Sequence, residues 1–580
     1  MKFMHKHWRW LSAASMVLPL LAASGASRAS GPEVRATVYG TVTGVDDTAN
    51  SGTYFWKGLP FAKPPVGALR WKAPLDPAPW PNGIVTAKFG NACVQTGSIF
   101  GPGANNTFDA SIGSTLGQTV GSEDCLTLNI WRPANGGKNL PVIYFMHGGS
   151  SVIGYAADPL YDGAALAKAA NAVVVTSNYR LGVLGWLNVP QLKTGASALD
   201  DSGNFGTLDT VKVLQFINKN VGNFGGDPGN VSIMGQSAGA VHVYALLVSP
   251  QTIGAKLIHR AIALSGGFSL ASELPPGSIP TMTPGAVYLA QGNALVSSLL
   301  IADGKAADAA SAGAYIATQS STQIADYLRS KSADAIFNTV ATKLAPLGLS
   351  GTGPIPEGTV IPASAIAAIN AGKYNKVPIL ASNTRDEAKL LGDVLARSPA
   401  LGGKPGFIIN GSAFFTTLAT YNPDATPALK MSDLIDPSYL PVGMPVTGFT
   451  ARTDLLNRLF FMPSRDSILN ALKAQQSNIW YYQFDWDREP APWNDAYGAT
   501  HTIDMLFVFG NFGSGLLSKV VASPANKGGR LALSNVMMTS IGAFARNGDP
   551  NHAALGVTWP VWPKQINFDA SLTATRISTR

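Results

Sequence analysis

Five residues, Gly235-Gln236-Ser237-Ala238-Gly239, lie between the β-type run Val231-Ser232-Ile233-Met234 and a helix-compatible run that begins at Ala240. A serine lifted onto so sharp a strand-to-helix turn exposes its hydroxyl, and flanking glycines leave space where neighbouring β-carbons would collide. Ser237 is therefore the candidate nucleophile. Its hydroxyl attacks poorly at neutral pH unless a base takes the proton and a third group orients that base. Histidine is suited to the task, with an ordinary pKa near ~6.5. Of the seven histidines, His5 and His7 belong to an N-terminal leader and His552 to the C-terminal tail, which leaves His147, His242, His259 and His501. His501 follows the small-residue turn Tyr497-Gly498-Ala499-Thr500 and precedes the apolar run 503–509, a loop position where a mobile base belongs. His242, one turn into the helix behind Ser237, and His259, in an amphipathic stretch, read as packing or surface residues. His147 opens a glycine turn, where an imidazole more often braces a loop.

The orienting carboxylate should stand at another strand end. The apolar run 377–381 leads into Asn383-Thr384-Arg385-Asp386-Glu387, and spacing alone leaves both Asp386 and Glu387 open. Acyl transfer also needs donors aimed at the developing oxyanion. The turn His147-Gly148-Gly149-Ser150 after the run 142–146 supplies backbone amides, and Ala238 can add a third.

Elements that would hold these residues are legible as period and composition. Apolar runs at 126–131, 142–146, 172–176, 231–234, 377–381 and 479–484, separated by helical stretches near 162–170 and 208–220, predict an α/β fold with a mostly parallel sheet covered on both faces. The segment 35–80 predicts an edge hairpin and a proline-stiffened connection. Alanine, serine and glycine with helical spacing predict small helices from about 285 to 345, read as a cap over the site.

Residues 1–29 carry Lys2, Lys6 and Arg9, an apolar stretch from 10 to 23, and small residues around Ala26 and Ala29, the pattern of a secretory signal peptide. The expected location is periplasmic or extracellular, with residues 30–580 forming one large domain. Without Lys2, Lys6, Arg9 and Arg28 the net charge falls from +8 to +4, too mild to argue for nucleic acid. No later run of about eighteen uninterrupted apolar residues predicts a membrane span. Cys93 and Cys125 are the only cysteines, and in an exported chain they read as one disulfide. No ligand-spaced Cys/His cluster points to a metal, and no cofactor is expected.

At this point the residues resemble the type-B carboxylesterase/lipase family of α/β-hydrolases, which includes the cholinesterases. The run 224–239 fits the family's serine signature and Glu123-Asp124-Cys125-Leu126-Thr127-Leu128-Asn129-Ile130 its second signature. Asn178-Tyr179-Arg180-Leu181-Gly182 and Phe544-Ala545-Arg546-Asn547-Gly548-Asp549-Pro550-Asn551 add support. The resemblance implies an α/β-hydrolase fold with a Cys93–Cys125 disulfide. It also implies Ser237 as nucleophile, Glu387 as acid, His501 as base, and an oxyanion hole from Gly149, Ser150 and Ala238. The implied activity is hydrolysis of small, neutral, fairly apolar esters through an acyl-enzyme. Ser150 replaces the family's usual third glycine, and Gln236 stands where cholinesterases carry glutamate. The loop between the cysteines has no tryptophan. A choline head would thus lack a nearby negative charge and an aromatic face from that loop. Trp480, Trp486, Trp493, Trp559 and Trp562 are compatible with a polyester or bulky xenobiotic ester, and equally with core packing. A non-catalytic adhesion homologue is the third reading, which an intact triad opposes.

Overall fold

A strand with no polar side chains on either face is stable only when both faces are covered. In the computed structural model Leu140–Met146 and Val173–Ser177 are buried at every residue. The structure describes residues 31–392, 411–422, 429–436, 448–513 and 515–580, and the expected signal peptide lies outside them.

Eleven strands form the main sheet: β1 Val45–Asp47, β2 Thr53–Pro60, β3 Thr127–Pro133, β4 Leu140–Met146, β5 Val173–Ser177, β6 Gly226–Gln236, β7 Arg260–Leu264, β8 Ile379–Thr384, β9 Ile479–Phe484, β10 Ile566–Ala570 and β11 Thr575–Thr579. Their order is β1-β2-β3-β5-β4-β6-β7-β8-β9-β10-β11. From β5 through β4 to β10 every neighbouring pair is parallel, and antiparallel strands close both ends. Alternation along β4 divides the core. Val142, Tyr144 and Met146 pack with the helices Phe205–Asn220 and Ala238–Val248, whereas Ile143 and Phe145 pack with Ala164–Ala170 and Lys527–Asn547. This is the α/β-hydrolase arrangement, and it brings the carboxyl ends of β4, β6 and β8 to one rim.

The segment 34–85 is more elaborate than a hairpin. Val34–Thr37 and Gly40–Thr43 pair antiparallel and are joined in parallel by Trp80–Val85, so the proline-rich connection returns to a small second sheet. Cys93 and Cys125 are disulfide-bonded in the core beneath β3. The helices Gly285–Ala302, Ala309–Thr318, Ser321–Arg329 and Ala333–Thr339 occupy the segment expected to be helical, the last three capped by the side chains of Asp308, Ser320 and Ser332. Gly285–Ala302 is long and apolar enough by length and composition to cross a membrane. Here its Leu295, Val296, Leu299 and Leu300 are buried with Trp71, Val183 and Leu184, so one side of the helix packs against the protein. Trp480, Trp486, Trp493, Trp559 and Trp562 are all buried, which answers their sequence reading in favour of packing.

Candidate active site

Ser237 directly follows β6 and caps the helix Ala238–Val248, with φ 57° and ψ −121°. This left-handed region is costly for a side-chain-bearing residue and persists only where the surroundings impose it. The imposition is visible. The Ser237 amide donates to the Leu264 carbonyl at 2.8 Å. A β-carbon on Gly235 would strike the Gly239 carbonyl, and one on Gly239 the Met146 carbonyl. The two glycines let strand, turn and helix close on one another, and the serine is left at a helix N-terminus where developing negative charge is stabilised.

His501 is 5% exposed and Glu387 2%. The imidazole Nδ1 lies 2.5 Å from Glu387 Oε2, while Oε1 accepts from Asn383 Nδ2 at 2.8 Å and from the Thr384 amide at 3.0 Å. An ionised carboxylate only accepts, so Nδ1 carries a proton, and in the neutral ring Nε2 is the nitrogen that can accept. Burial by itself raises the Glu387 carboxyl, but His501 and the Asn383 hydrogen bond oppose it and hold the group below its usual range. Asp386 faces the other way. It pairs with Arg385 at 2.8 Å and Lys389 at 3.5 Å and accepts the Ala499 amide at 3.1 Å, so of the two adjacent acids only Glu387 meets the imidazole.

Ser237 and His501 line the same cavity, of about 1050 Å³ with its mouth included, together with Gly149 and Ser150. A second hollow of about 850 Å³ also contains Ser237 and His501, with Ser150 and Ala238. Among the described residues no hydrogen bond joins the Ser237 hydroxyl to the imidazole; His501 Nε2 lies 3.1 Å from the Gln236 side-chain amide instead. Sequence reasoning marked Gln236 only for its lack of charge and did not foresee this contact.

The glycine turn is held from below. Gly149 has φ 99°, and a β-carbon there would meet the Ile153 carbonyl; Ser150 and Ser151 follow at φ 53° and 59°. The His147 ring stacks on Tyr179 at 4.4 Å and its Nδ1 donates to the Gly148 carbonyl. His242 stacks on Trp186 at 5.3 Å and approaches the Ser151 hydroxyl with Nε2 at 3.3 Å. Burial pushes these imidazoles down to about 4 and about 3, so both are neutral braces. His259 accepts the Val231 amide and His552 contacts Ser540, both away from the cavity. Arg180 grips buried Asp209 with Nε, a terminal nitrogen and its own amide, and two residues on the Gly182 amide donates to the Ser151 carbonyl.

The cavity walls depart from the sequence reading. The disulfide loop does supply aromatic faces, Phe100 and Phe108, and Asp158 supplies a carboxylate, so the expectation of neither is corrected. No residue of 285–345 lines either hollow. Among the described residues no group of three or more His, Cys, Asp or Glu side chains is placed to hold a metal ion.

A buried carboxylate, an imidazole hydrogen-bonded to it and a serine on a strained turn, beside a loop of backbone amides, can perform nucleophilic acyl transfer. Comparison with known proteins points the same way. The family model described as "Carboxylesterase family" matches residues 31–575. The para-nitrobenzyl esterase of Bacillus subtilis is 29% identical over 537 residues, covering 92% of this chain and 93% of its own. Liver carboxylesterase 1 of Oryctolagus cuniculus is 30% identical, with 96% and 91% covered. Among solved structures, a Geobacillus stearothermophilus carboxylesterase superposes with a TM-score of 0.67 at 27% identity, covering 94% of this chain and 98% of that one.

Proposed function

The chain belongs to the carboxylesterase family and is a carboxylesterase, and from that premise we propose that it works through a Ser237 acyl-enzyme on esters whose bulk is apolar. The observation that carries the proposal is the 2.5 Å contact of His501 Nδ1 with Glu387, made by an imidazole that shares its cavity with Ser237. His501 Nε2 takes the serine proton as the hydroxyl attacks, after the Gln236 amide turns aside, and returns it to the leaving alcohol. Glu387 stabilises the imidazolium. The amides of Gly149, Ser150 and Ala238 receive the oxyanion, and water then releases the acyl group by the same route. Apolar walls from Ile99, Phe100, Leu160, Leu390 and Leu516 support the apolar preference. Export belongs to the same proposal, supported by the leader pattern of residues 1–29 and by a disulfide, a bond that persists in oxidising compartments.

Ser237→Ala tests the assignment. The variant should keep the wild-type melting temperature, lose 4-nitrophenyl ester turnover, and no longer react with a fluorophosphonate probe. Undiminished turnover would falsify it.

A further inference from the structure

The cavity that Ser237 shares with Gly149 and Leu160 is apolar over most of its wall, and Asp158 is the only carboxylate among the described residues that line it. No lysine or arginine is among them. Asp158 starts the short turn Pro159–Tyr161, where Oδ1 accepts the Leu160 amide at 2.9 Å. That cap accounts for one oxygen. Oδ2 has neither a hydrogen bond nor an ion pair among the described residues. The Tyr155 hydroxyl, on a residue 1% exposed, also lacks a hydrogen-bond partner and lies within the field of Asp158. The wall of an otherwise greasy cavity thus carries one carboxylate, and no lysine or arginine among the described residues lines it to balance the charge. Burial pushes the Asp158 carboxyl up to about 6, so it is ionised at pH 8.

We infer that Asp158 is a specificity-determining residue that anchors a protonated amine carried by the substrate, so that this cavity selects apolar chains bearing a primary ammonium group. The inference rests on the esterase reading above and goes beyond the neutral ester expected from sequence. A wholly apolar chain would cover Oδ2 and leave it without a partner, which costs more than an ordinary lost contact because the group is charged. An ammonium donates to Oδ2 in a surrounding of low dielectric, while its methylenes meet Leu160, Leu390 and Leu516.

The test is the variant Asp158→Asn, which keeps an oxygen able to cap the turn. Two isosteric ester pairs are compared at pH 8: one with a terminal ammonium or methyl on the acyl chain, the other with the same exchange on the alcohol. In at least one pair the ratio of kcat/KM for ammonium over methyl should fall about tenfold or more on substitution. Calorimetry with octylammonium and with octan-1-ol reads the same preference without turnover, and the wild-type preference for octylammonium should likewise fall about tenfold. Equal ammonium preference in both proteins, by kinetics and by calorimetry, overturns the inference. If neither protein hydrolyses any of the esters, the failure belongs to the esterase reading, and calorimetry still decides the role of Asp158.

Discussion

Replacing Glu387 by glutamine removes one charge and almost no volume, yet the hydrogen bonds around it dictate a large loss of turnover. Arg465 donates to the Tyr481 hydroxyl at 3.1 Å, and that hydroxyl donates to Asn383 Oδ1, so Asn383 must offer Nδ2 to Glu387 Oε1. The Thr384 amide donates to the same oxygen. Two donors converging on one site will hold the oxygen of the introduced amide there and turn its NH₂ toward His501 Nδ1. Nδ1 must then accept, the proton moves to Nε2, and the lone pair that should receive the Ser237 proton is gone. An imidazole held in the wrong tautomer costs on the order of 10⁴ in turnover in serine proteases, or ~5.5 kcal/mol of barrier. The measurement is kcat for 4-nitrophenyl butyrate in wild type and Glu387→Gln, with circular dichroism and melting temperature as evidence of an intact fold. A folded variant that keeps more than about a tenth of the wild-type kcat would show that the tautomer is not set by this network.

Gly239→Ala should lower both the melting temperature and kcat, because its β-carbon would overlap the Met146 carbonyl and the elbow can make room only by moving Ser237; an active variant of wild-type stability would contradict that packing. Arg180→Leu leaves Asp209 buried and unpaired, at a cost of about 3–5 kcal/mol, which urea denaturation would detect as a lower midpoint. His147 and His242 have folded-state pKa values below the ordinary 6.5 because of burial, so the unfolded chain binds protons first and stability declines as pH falls from 6.5 toward about 4 and about 3. Each contributes up to ~1.4 kcal/mol per pH unit in that window. His242→Phe, which retains a ring to stack on Trp186, should flatten the acid slope of the denaturation midpoint by one such proton, and an unchanged slope refutes the assignment. Reducing the Cys93–Cys125 bond should loosen the loop that brings Ile99, Phe100 and Phe108 to the cavity, seen as a raised KM for long-chain esters together with ~3–4 kcal/mol of lost stability.

Most of the parallel strands from β4 to β9 were legible because burial on both faces leaves short, continuous apolar runs rich in β-branched residues. β4 and β5 appear within a residue or two of the runs 142–146 and 172–176. The C-terminal strands β10 and β11 were not marked, since one alternates with polar residues and the other, Thr575–Thr579, is an edge with no buried residue to reveal it. The choice between Asp386 and Glu387 could not come from spacing. Both leave β8 on the same turn, and which one meets His501 is decided by Arg385 and Lys389 drawing Asp386 away, contacts made in the folded chain that carry no local signal. Asp158 was invisible for a similar reason: as a turn cap it has an ordinary local role, and only the folded chain shows that it lines the cavity beside Ser237.

The same distinction governs strain. Among the described residues ten non-glycine residues have positive φ, and five of them, Ser150, Ser151, Ser237, Ser265 and Thr502, line the two hollows around the nucleophile. Such conformations cost of order 1–3 kcal/mol each, so their concentration at one rim of the sheet is the opposite of what stability alone would select. A glycine at such a position announces itself in sequence, as Gly149 did; a serine does not. What holds Ser237 in place is the registered end of β6 against β4 and β7, with the Leu264 carbonyl fixing its amide. The sheet is therefore more than a scaffold that happens to carry a triad: its parallel register forces a side-chain-bearing residue into a conformation it would otherwise leave, and that conformation aims the hydroxyl.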